Sequence, residues 1–561
     1  METIIETKTC SCWEIFSITQ EDLDFLEKVS PIIKWERLSI PTPEQCPDCR
    51  NRRRLSFRNE RNIYKRNCDA TWKTILSVFS PDKEYKVYEH SIWSWDSWDA
   101  TEYWKDFDFS KSFFEQFDEL AHIVPHQSIF NVNCENSDYS QLINWKNCYL
   151  TFVGWNAEDT LYSHWMVDTK DSIDCLRCKD VTGCYDCVHC YENCYQLKWC
   201  FNCKSSSDSA FCFNMIWCRD CFMSSNLINK QYVFKNEQLS KEEYESELKK
   251  AHIWENYHDL RNEMVKNMKN WIHRENQNFK SEDCSWDFIK NSEKSVNCYE
   301  VSDTRNCKNF FDNAWNCTNC HDATYGWKSE NCYEVLGADW VHNIFWMLNI
   351  IWTDYSVYAF ACYNSNNIFW CISLNNKQYC ILNKQYSKEE YEELVPKIIE
   401  HMRKTGEWWE FFPASISPFW YNESAAQDHY PLNQSEASDL WFKWSAFENP
   451  KPDVAKIIPG WKLPINIADV PDDILNWAIE CEKSKKPFRI IKKELDFYRS
   501  NGLPIPRLHP DERHKERLEL RNPRKLHDRN CDKCWTDIRT TFAPGWSEMI
   551  YCEKCYDSEV L

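Results

Sequence analysis

Glycine is nearly missing from this sequence. The 561 residues include 8 glycines, whereas ordinary usage of about 7% predicts roughly 39. Turns use glycine because it adopts the left-handed backbone conformation without the steric cost that other residues incur. A chain that folds with so few glycines must place other residues at those turns.

Long apolar runs and an excess of positive charge are also absent. No apolar stretch reaches the roughly 18 residues of a membrane span, and the N-terminal sequence lacks the basic and apolar regions of a secretory signal. We therefore expect a cytoplasmic protein. Lys and Arg number 67 against 87 Asp and Glu, a formal net charge of −20, which excludes nucleic-acid or anionic-lipid binding over the whole surface.

The usual catalytic signatures are missing as well. The sequence contains no GxGxxG, P-loop, GxSxG or HExxH motif. Hydrophobic residues make up 43% and charged residues 27% of the chain, as in folded domains. The sequence favours a folded binding or scaffold protein. The alternative is an enzyme whose site lies between the cysteine-rich repeats in the middle of the chain and one of the domains at its two ends.

Tryptophan is as abundant as glycine is rare. There are 30 tryptophans, and the two residue types together reach the ordinary glycine count. Trp13, Trp72 and Trp535 occupy positions at cysteine-containing turns where glycine is expected. We hypothesise that most tryptophans are UGA codons that the source organism reads as glycine, as some reduced-genome bacteria do. A genuinely tryptophan-rich surface, for example for carbohydrate binding, is the alternative.

Cysteine is also abundant, with 32 residues, and in a reducing compartment these are expected as thiols or metal ligands. Two CxxC pairs near the C-terminus have the spacing of a closed tetrahedral zinc site, and an N-terminal set has a shortened first pair. We predict two structural Zn²⁺ sites, with the ligands Cys531, Cys534, Cys552 and Cys555 and the ligands Cys10, Cys12, Cys46 and Cys49. Ordinary buried thiols are the alternative for the N-terminal set.

The two ends of the chain repeat one module. Residues 46–69 align without a gap with residues 509–532 at an offset of 463, within a repeated unit of about 75 to 80 residues. Each copy keeps one complete cysteine set. The other set has decayed, to Cys481, His509 and Glu512 in the C-terminal copy and to Cys68, Thr71, Glu89 and Ile92 in the N-terminal copy.

The N-terminal copy resembles a known type of domain. The segments CSCWEIF at 10–16 and CPDCR at 46–50 resemble a small bacterial zinc-ribbon domain with a CxxCGxxF opening and a CPxCR close. The glycine of that pattern falls on Trp13. The resemblance implies a structural zinc ribbon, from which the shortened first pair departs.

The first module is basic although the whole chain is acidic. Zinc ribbons with arginine-rich helices often contact nucleic-acid phosphates. Six arginines are therefore candidate ligands of RNA or of a ribonucleoprotein: Arg50, Arg52, Arg53, Arg54, Arg58 and Arg61. In the other interpretation, these arginines cover the module or pair with the acidic body of the protein.

Short cysteine-containing repeats fill the middle of the chain. Several cysteines recur six positions apart, and Asn-Cys-Tyr recurs at Asn147, Asn193, Asn297 and Asn331. This pattern indicates β-solenoid coils whose cysteines stack inside as small apolar residues. The CxxC pairs of the same region leave a multi-metal array as the alternative.

A second duplication marks where the repeats end. Residues 229–244 recur as residues 376–391 at an offset of 147. Ser240 with Glu243 and Ser387 with Glu390 form the Ser-x-x-Glu pattern of a capping box. We predict that each array ends in a helix that covers its strand edges.

Together these features predict a mainly β fold with some helices: two cysteine-rich β-solenoid arrays with capping helices, flanked by duplicated zinc-ribbon modules. The predicted segments are an N-terminal module (1–95), a connector (96–129), array 1 (130–238), a helix and linker (239–283), array 2 (284–386), a helix and linker (387–470) and a C-terminal module (471–561). The motifs CPDCR at 46–50, NKQYSKEEYEELVPKI at 383–398 and PIPRLHPDER at 504–513 resemble those of a cysteine-rich family of reduced-genome bacteria over nearly the full chain, and this resemblance implies no particular activity. We expect a zinc-binding scaffold whose partner is RNA, a ribonucleoprotein or another protein.

Overall fold

The computed structural model describes residues 3–33, 36–253, 255–311, 321–322, 324, 334, 336–337, 347–348 and 356–560. Its contacts divide the chain into two compact units. Unit 1 consists of Met1–Ile129 and Asn276–Phe447, and unit 2 consists of Phe130–Glu275 and Glu448–Leu561. The chain passes from one unit to the other three times. Each end module therefore shares a unit with the array that is not its neighbour in the sequence.

Unit 1 combines the N-terminal module (residues 3–129) with array 2 (residues 276–386) and the helices that follow. The module contains β1 Ile4–Thr9, β2 Ile15–Thr19, α1 Gln20–Val29, β3 Ile32–Ile33, β4 Glu36–Arg37, α2 Pro47–Leu55, β5 Tyr64–Asn67, β6 Thr74–Ser77, β7 Val87–Tyr88, α3 His90–Trp93, α4 Phe113–Ile123 and β8 His126–Gln127. The rest of unit 1 contains β21 Trp286–Asp287, β22 Cys298–Tyr299, β23 Met347–Leu348, β24 Val357–Phe360, β25 Asn366–Ile372, β26 Gln378–Ile381, β27 Lys384–Gln385, α7 Lys388–Thr405, α8 Ala425–His429 and α9 Gln434–Asp439. The Asn331 repeat and much of the middle of the predicted second array lie outside the described residues.

Unit 2 combines array 1 (residues 130–238) and its helices with the C-terminal module (residues 448–560). The first part contains β9 Asn131–Val132, β10 Gln141–Lys146, β11 Phe152–Glu158, β12 His164–Lys170, β13 Leu176–Thr182, β14 Tyr191–Tyr195, β15 Phe213–Ile216, β16 Arg219–Phe222, β17 Ser225–Ile228, β18 Gln231–Phe234, β19 Glu237–Gln238, α5 Lys241–Lys250, α6 Tyr257–Asn270 and β20 Ile272–Arg274. The module contains β28 Lys456–Pro459, β29 Trp477–Glu480, β30 Pro487–Phe488, α10 Lys492–Asn501, α11 Pro510–Glu519, β31 His527–Asn530, β32 Asp537–Thr540, β33 Met549–Tyr551 and α12 Glu553–Val560.

Array 1 is a parallel β-solenoid in which a typical turn takes twelve residues. Leu161 bridges to Ile173, and Ile173 bridges to Tyr185. Along each turn, a residue with positive φ recurs at every third position, as in the series Asn156, Asp159, Tyr162, Trp165 and Asp168. A turn therefore has four three-residue sides and four left-handed corners. Asn and Asp are frequent at the corners because they tolerate this conformation better than most residues. The six-residue cysteine spacing corresponds to two sides.

The residue after each corner points into the solenoid, and where it is Ser, Thr or Cys it forms hydrogen bonds there. Ser163 Oγ donates to Leu161 O at 2.8 Å and accepts from Cys175 N at 3.0 Å. Cys175 Sγ donates to Ile173 O at 3.5 Å and to Cys184 O, one turn further on, at 3.7 Å. Small residues with one donor thus satisfy the buried carbonyls of the coil. This requirement explains why Cys, Ser and Thr alternate at the inward positions.

Helices follow both arrays where the capping boxes were predicted. Ser240 and Glu243 form a reciprocal capping box at the start of α5, and Ser387 and Glu390 form one at the start of α7. Each helix packs on the last long strand of its array, through Tyr244 on Tyr232 and Tyr391 on Tyr379. The predicted β-solenoid architecture with terminal modules is confirmed. Within the ranges described, no helix has both the length and the apolar composition of a membrane span.

Candidate metal centres

Two groups of four cysteines could each hold a metal ion. In the described part of the chain these are Cys10, Cys12, Cys46 and Cys49, and Cys531, Cys534, Cys552 and Cys555, and in each group the sulfurs lie within 4.8 Å of one another. Zinc–sulfur bonds of about 2.3 Å in a tetrahedron place sulfurs about 3.8 Å apart. The Sγ–Sγ distances of 3.6 Å between Cys12 and Cys46 and 3.7 Å between Cys534 and Cys552 match this spacing. The structure thus brings together all eight predicted ligands.

The C-terminal group is built from two short turns. Cys531 and Cys534 belong to the turn between β31 and β32, and Cys552 and Cys555 lie where β33 passes into α12. The backbone N–H of Cys552 donates to Cys531 Sγ at 3.2 Å. Hydrogen bonds with the Thr536 hydroxyl and amide lower the pKa of the Cys534 thiol to about 6. Both effects favour thiolates, the form that binds a metal ion.

The N-terminal group forms in spite of its shortened first pair. Cys10 and Cys12 flank the tip of the β1–β2 hairpin, where Cys10 N donates to Glu14 O at 2.9 Å. Cys46 is the N-cap residue of α2, with Pro47 in its first turn, and Cys49 is one turn along the helix. The sulfurs of Cys46 and Cys49 are therefore held by a helix, while those of Cys10 and Cys12 are held by a hairpin.

Four equivalent turns in the two modules close with the same hydrogen bond. The N–H of the turn residue donates to the carbonyl of the cysteine that opens the turn, at 2.9 Å for Trp13, 2.8 Å for Trp72, 3.1 Å for Lys485 and 2.9 Å for Trp535. The turn residue has a φ of 69°, 60°, 60° and 63° respectively. All four positions thus require the left-handed conformation that glycine adopts most easily.

Non-glycine residues with positive φ are few outside the arrays. In the described parts of residues 3–129, 239–275 and 387–560 there are seven, of which five are tryptophans: Trp13, Trp72, Trp409, Trp441 and Trp535, beside His252 and Lys485. Trp13, Trp72 and Trp535, at the cysteine-containing turns, are 86%, 77% and 78% exposed respectively. Bulky residues avoid this conformation. Trp13, Trp72 and Trp535 therefore lie in exposed left-handed turns, a conformation that glycine adopts more easily.

The decayed cysteine sets do not form metal groups in the described residues. Cys481 is buried in the apolar core that the C-terminal module shares with array 1. His509 Nδ1 accepts from Asp511 N at 3.2 Å and so caps α11. Cys68 Sγ accepts from Glu89 N at 3.3 Å, the counterpart of the bond between Cys552 and Cys531. These turns therefore keep their geometry although they have lost metal ligands.

The array cysteines behave as core residues. Most of those in array 1 belong to one buried cluster that includes Met166, Val181 and Leu197. Burial raises the pKa of the Cys148 and Cys362 thiols to about 12, so these two thiols remain protonated donors to carbonyls. At Cys190 and Cys200 burial acts in the same direction, but hydrogen bonds with neighbouring cysteines lower the pKa below its usual range. No further group of possible metal ligands occurs among the residues with described positions. The geometry favours the core interpretation over the multi-metal array.

The arginines of α2 contact array 2 within unit 1. Arg50 Nε donates to Asp322 Oδ2 at 2.8 Å, and Arg54 Nη2 lies 3.5 Å from Asp322 Oδ1. Both guanidinium groups also lie within 4 Å of Glu334, and all four side chains are buried. Arg53 pairs with Glu334 and with Glu410. This arrangement favours the interpretation in which the arginines pair with acidic groups of the protein.

The remaining candidate arginines are half-buried. Arg58 Nε donates to Glu60 Oε1 at 2.5 Å. Arg52 Nη2 lies 3.5 Å from the sulfur of Cys49. Arg61 is partly exposed on the segment before β5. The six arginines therefore do not form one exposed basic surface.

Unit 2 repeats the ion-pair arrangement of unit 1. Arg513 and Arg517, 463 positions after Arg50 and Arg54, lie on α11. Arg513 Nη1 pairs with Asp174, and Arg517 pairs with Asp174 at 3.1 Å and with Asp186 at 3.3 Å. Burial raises the pKa of Asp174, while Arg513 and Arg517 oppose that shift. The same two arginines thus attach each module to an array.

The spacing of these groups shows why the pairs fit. The arginines are four residues apart, which is about 6 Å along a helix. The carboxylates are twelve residues apart, one above the other on consecutive solenoid turns about 4.8 Å apart. Asp174 and Asp186 in array 1 and Asp322 and Glu334 in array 2 share this twelve-residue spacing. Acidic residues twelve positions apart occur in both arrays. This spacing is the sequence signal that could have revealed the contact between each arginine-bearing helix and its array.

Comparisons with known proteins show no family. No protein-family model matches the chain, and no curated protein matches it. A solved structure from Desulfovibrio desulfuricans G20, named for a proposed acetyltransferase activity, aligns over 46% of this chain and 68% of its own, with 8% identity and a TM-score of 0.09. A TM-score this low supports no statement about fold or function.

Proposed function

We propose that the protein is a zinc-stabilised scaffold. Each unit is a β-solenoid array held against a module whose fold depends on four thiolates and one Zn²⁺. The observation that carries this proposal is that the eight predicted cysteines lie in two groups of four, each with its sulfurs within 4.8 Å of one another, together with the duplicated buried ion pairs that attach each module to its array.

The donor sets fit zinc and a structural role. Four thiolates complete a tetrahedral coordination shell and leave no position for a substrate or a reactive water. Cysteine-only sites of this kind contribute folding free energy, because the unfolded chain does not hold its sulfurs in one place. The ion would fix the two ligand-bearing segments of each module relative to each other. In the N-terminal module, where Cys46 and Cys49 lie at the start of α2, it would also keep the arginine-bearing helix in position.

Contact with RNA is a narrower proposal. Buried Arg50 and Arg54 are committed to carboxylates, so phosphate contact would depend on the half-buried Arg52, Arg58 and Arg61. The flank of array 1 that carries the exposed Lys170 and the half-buried Thr182 and Ser207 offers protein partners a polar surface. A protein-binding scaffold is therefore the form of the proposal that we favour.

We also propose that the tryptophans at left-handed turns are glycines in the natural protein. The support is the rarity of glycine and the concentration of tryptophan among residues of positive φ outside the arrays. The codons of the gene test this directly. UGA at positions 13, 72 and 535 is expected, and UGG at these positions would refute the proposal.

Native mass spectrometry of the full chain tests the scaffold proposal. We expect two zinc ions per chain and loss of both after treatment with a strong chelator, with a lower melting temperature. A chain that binds no zinc, or that keeps its melting temperature after zinc is removed, would contradict the structural role. Co-purified nucleic acid would appear in the same spectrum and would favour RNA as the partner.

A further inference from the structure

The outer edge of β1, in the N-terminal module, pairs with no strand in the described part of the chain. β1 pairs with β2 alone among the described residues. The hairpin is exposed, and Ile4, Ile5 and Ile15 are 60%, 50% and 67% exposed. An exposed edge with β-branched side chains is a template for a further strand, and natural proteins usually protect such edges.

The usual protection by a charged side chain is weak here. Lysine on an edge strand blocks pairing when its ammonium group projects from the edge. Lys8, in the middle of β1, instead donates from Nζ to Thr42 Oγ1 at 2.9 Å and to Glu44 Oε1 at 2.5 Å. Its side chain is 14% exposed, so it lies on the module and does not project from the backbone edge.

The C-terminal module shows what the same edge can hold. When the two modules are aligned on the equivalent residues Cys10 and Cys481, the hairpin β1–β2 corresponds to the hairpin β29–β30. The pairs Lys8↔Phe16 and Ile479↔Phe488 occupy the same place in the two hairpins. In the C-terminal module a third strand, β28, adds in parallel to the outer edge of β29. Ala478 and Ile479 of that edge strand are buried.

The backbone groups available on β1 match those used in the C-terminal module. Cys10 N bonds to Glu14 O in the N-terminal hairpin, and Cys481 N bonds to Lys486 O in the other. Because antiparallel pairs alternate between bonded and non-bonded, the N–H groups of Thr7 and Thr9 point outward. These positions correspond to Ala478 and Glu480, which face β28.

The register also indicates the side chains of the missing strand. β28 has the sequence Lys-Ile-Ile-Pro, and Lys456 lies opposite Trp477 with its ammonium 4.3 Å from the ring centroid. The position of Trp477 corresponds to Glu6, an exposed carboxylate in β1. A basic residue at the Lys456 position would therefore face Glu6, an opposite-charge pair across the strands.

We propose that the outer edge of β1 binds an extended segment of a partner protein by parallel strand addition, with β-branched residues along the strand and a basic residue opposite Glu6. Main-chain hydrogen bonds to Thr7 and Thr9 give the affinity, and the charge pair with Glu6 sets the register. This inference does not depend on the metal content or on the scaffold proposal.

The probe is a fluorescein-labelled peptide that carries the chain's own third strand, residues 453–460 (DVAKIIPG). Fluorescence polarisation with the zinc-loaded full chain is expected to show saturable binding. Thr7→Pro removes one outward N–H and is expected to weaken binding at least tenfold, whereas Thr7→Val keeps the N–H and is expected to change it less than twofold. Zinc content and melting temperature report whether Thr7→Pro still folds.

A charge exchange tests the register without a backbone change. A peptide with Glu in place of its Lys is expected to bind several-fold more weakly to the wild-type chain, and Glu6→Lys is expected to restore its binding. Absence of saturable binding up to about 1 mM peptide, or equal binding by Thr7→Pro and Thr7→Val, would overturn the proposal. A dimer in light scattering that Thr7→Pro dissociates would identify a second copy as the occupant, and would also overturn it.

Discussion

Replacing Trp535 with glycine is expected to stabilise unit 2. Trp535 has a φ of 63° and is 78% exposed. The left-handed conformation costs an ordinary residue about 1–2 kcal/mol, and glycine removes that cost. Glycine also loses roughly 0.5–1 kcal/mol more in backbone freedom on folding. The covered part of the indole is about what a compact unfolded chain covers as well, so its loss adds little.

The net gain is about 0.5–1 kcal/mol, which corresponds to a rise of roughly 1–4 °C in melting temperature for a unit of this size. Differential scanning calorimetry of the zinc-loaded chain measures it. Trp535→Ala is the matched control, because alanine removes the indole but retains the Cβ that causes the strain. Lys485→Gly, at the equivalent turn of the same module, is expected to give a gain of similar size. If Trp535→Ala stabilised as much as Trp535→Gly, or if glycine destabilised, the strain argument would be wrong.

Three further predictions concern the metal sites, the ion pairs and pH. Cys534→Ser is expected to reduce the zinc count in native mass spectrometry from two to one, whereas Cys68→Ser should leave two, and one zinc in both variants would contradict the site assignment. Asp174→Asn leaves Arg513 and Arg517 without their shared carboxylate and is expected to lower the free energy of unfolding of unit 2, measured by chemical denaturation, by about 3 kcal/mol. The control Asp496→Asn, which removes the exposed pair with Lys492, should lower it by less than about 1 kcal/mol. Equal losses would argue against the buried pairs. Burial raises the pKa of Glu494 to about 7, although Arg513 and hydrogen bonds from Tyr162 and Tyr498 oppose the shift. The contribution of Glu494 to stability is therefore fully present below the ordinary glutamate pKa of about 4.3 and is lost as pH rises through 7. Glu494→Gln should flatten the pH dependence of the melting temperature between about pH 4.3 and 7, and an unchanged profile would refute the assignment.

The metal sites could be predicted from the sequence because their ligands come in local pairs. Cys531 with Cys534 and Cys552 with Cys555 define turns whose geometry depends on few neighbours. The solenoid could be recognised for a similar reason, since each coil is a local repeat. Its twelve-residue turn was less evident, because Cys, Ser, Thr and apolar residues all serve at inward positions. The capping boxes of α5 and α7 are local as well.

The pairing of modules with arrays could not be predicted in the same way. Both modules carry the same arginine pair, and both arrays carry carboxylates with the same twelve-residue spacing. Complementary charge alone therefore permits either module on either array. The choice depends on wider packing, such as Phe25 of the N-terminal module in one core with Phe310 of array 2, and Tyr498 of the C-terminal module in one core with Tyr185 of array 1.

The interleaved course of the chain has a consequence for its synthesis. A ribosome adds roughly 5–20 residues per second, so the N-terminal module emerges roughly 10–40 s before the array that contains Asp322. Array 1 likewise has no contact with α11 until translation is nearly complete. During these intervals the arginines of α2 and the carboxylates at Asp174 and Asp186 lack the partners they have in the finished fold. A protein arranged in this way completes its first unit only after residues 130–275 of the second unit have already been translated, and slowing translation between residues 129 and 447 should increase the demand for chaperones.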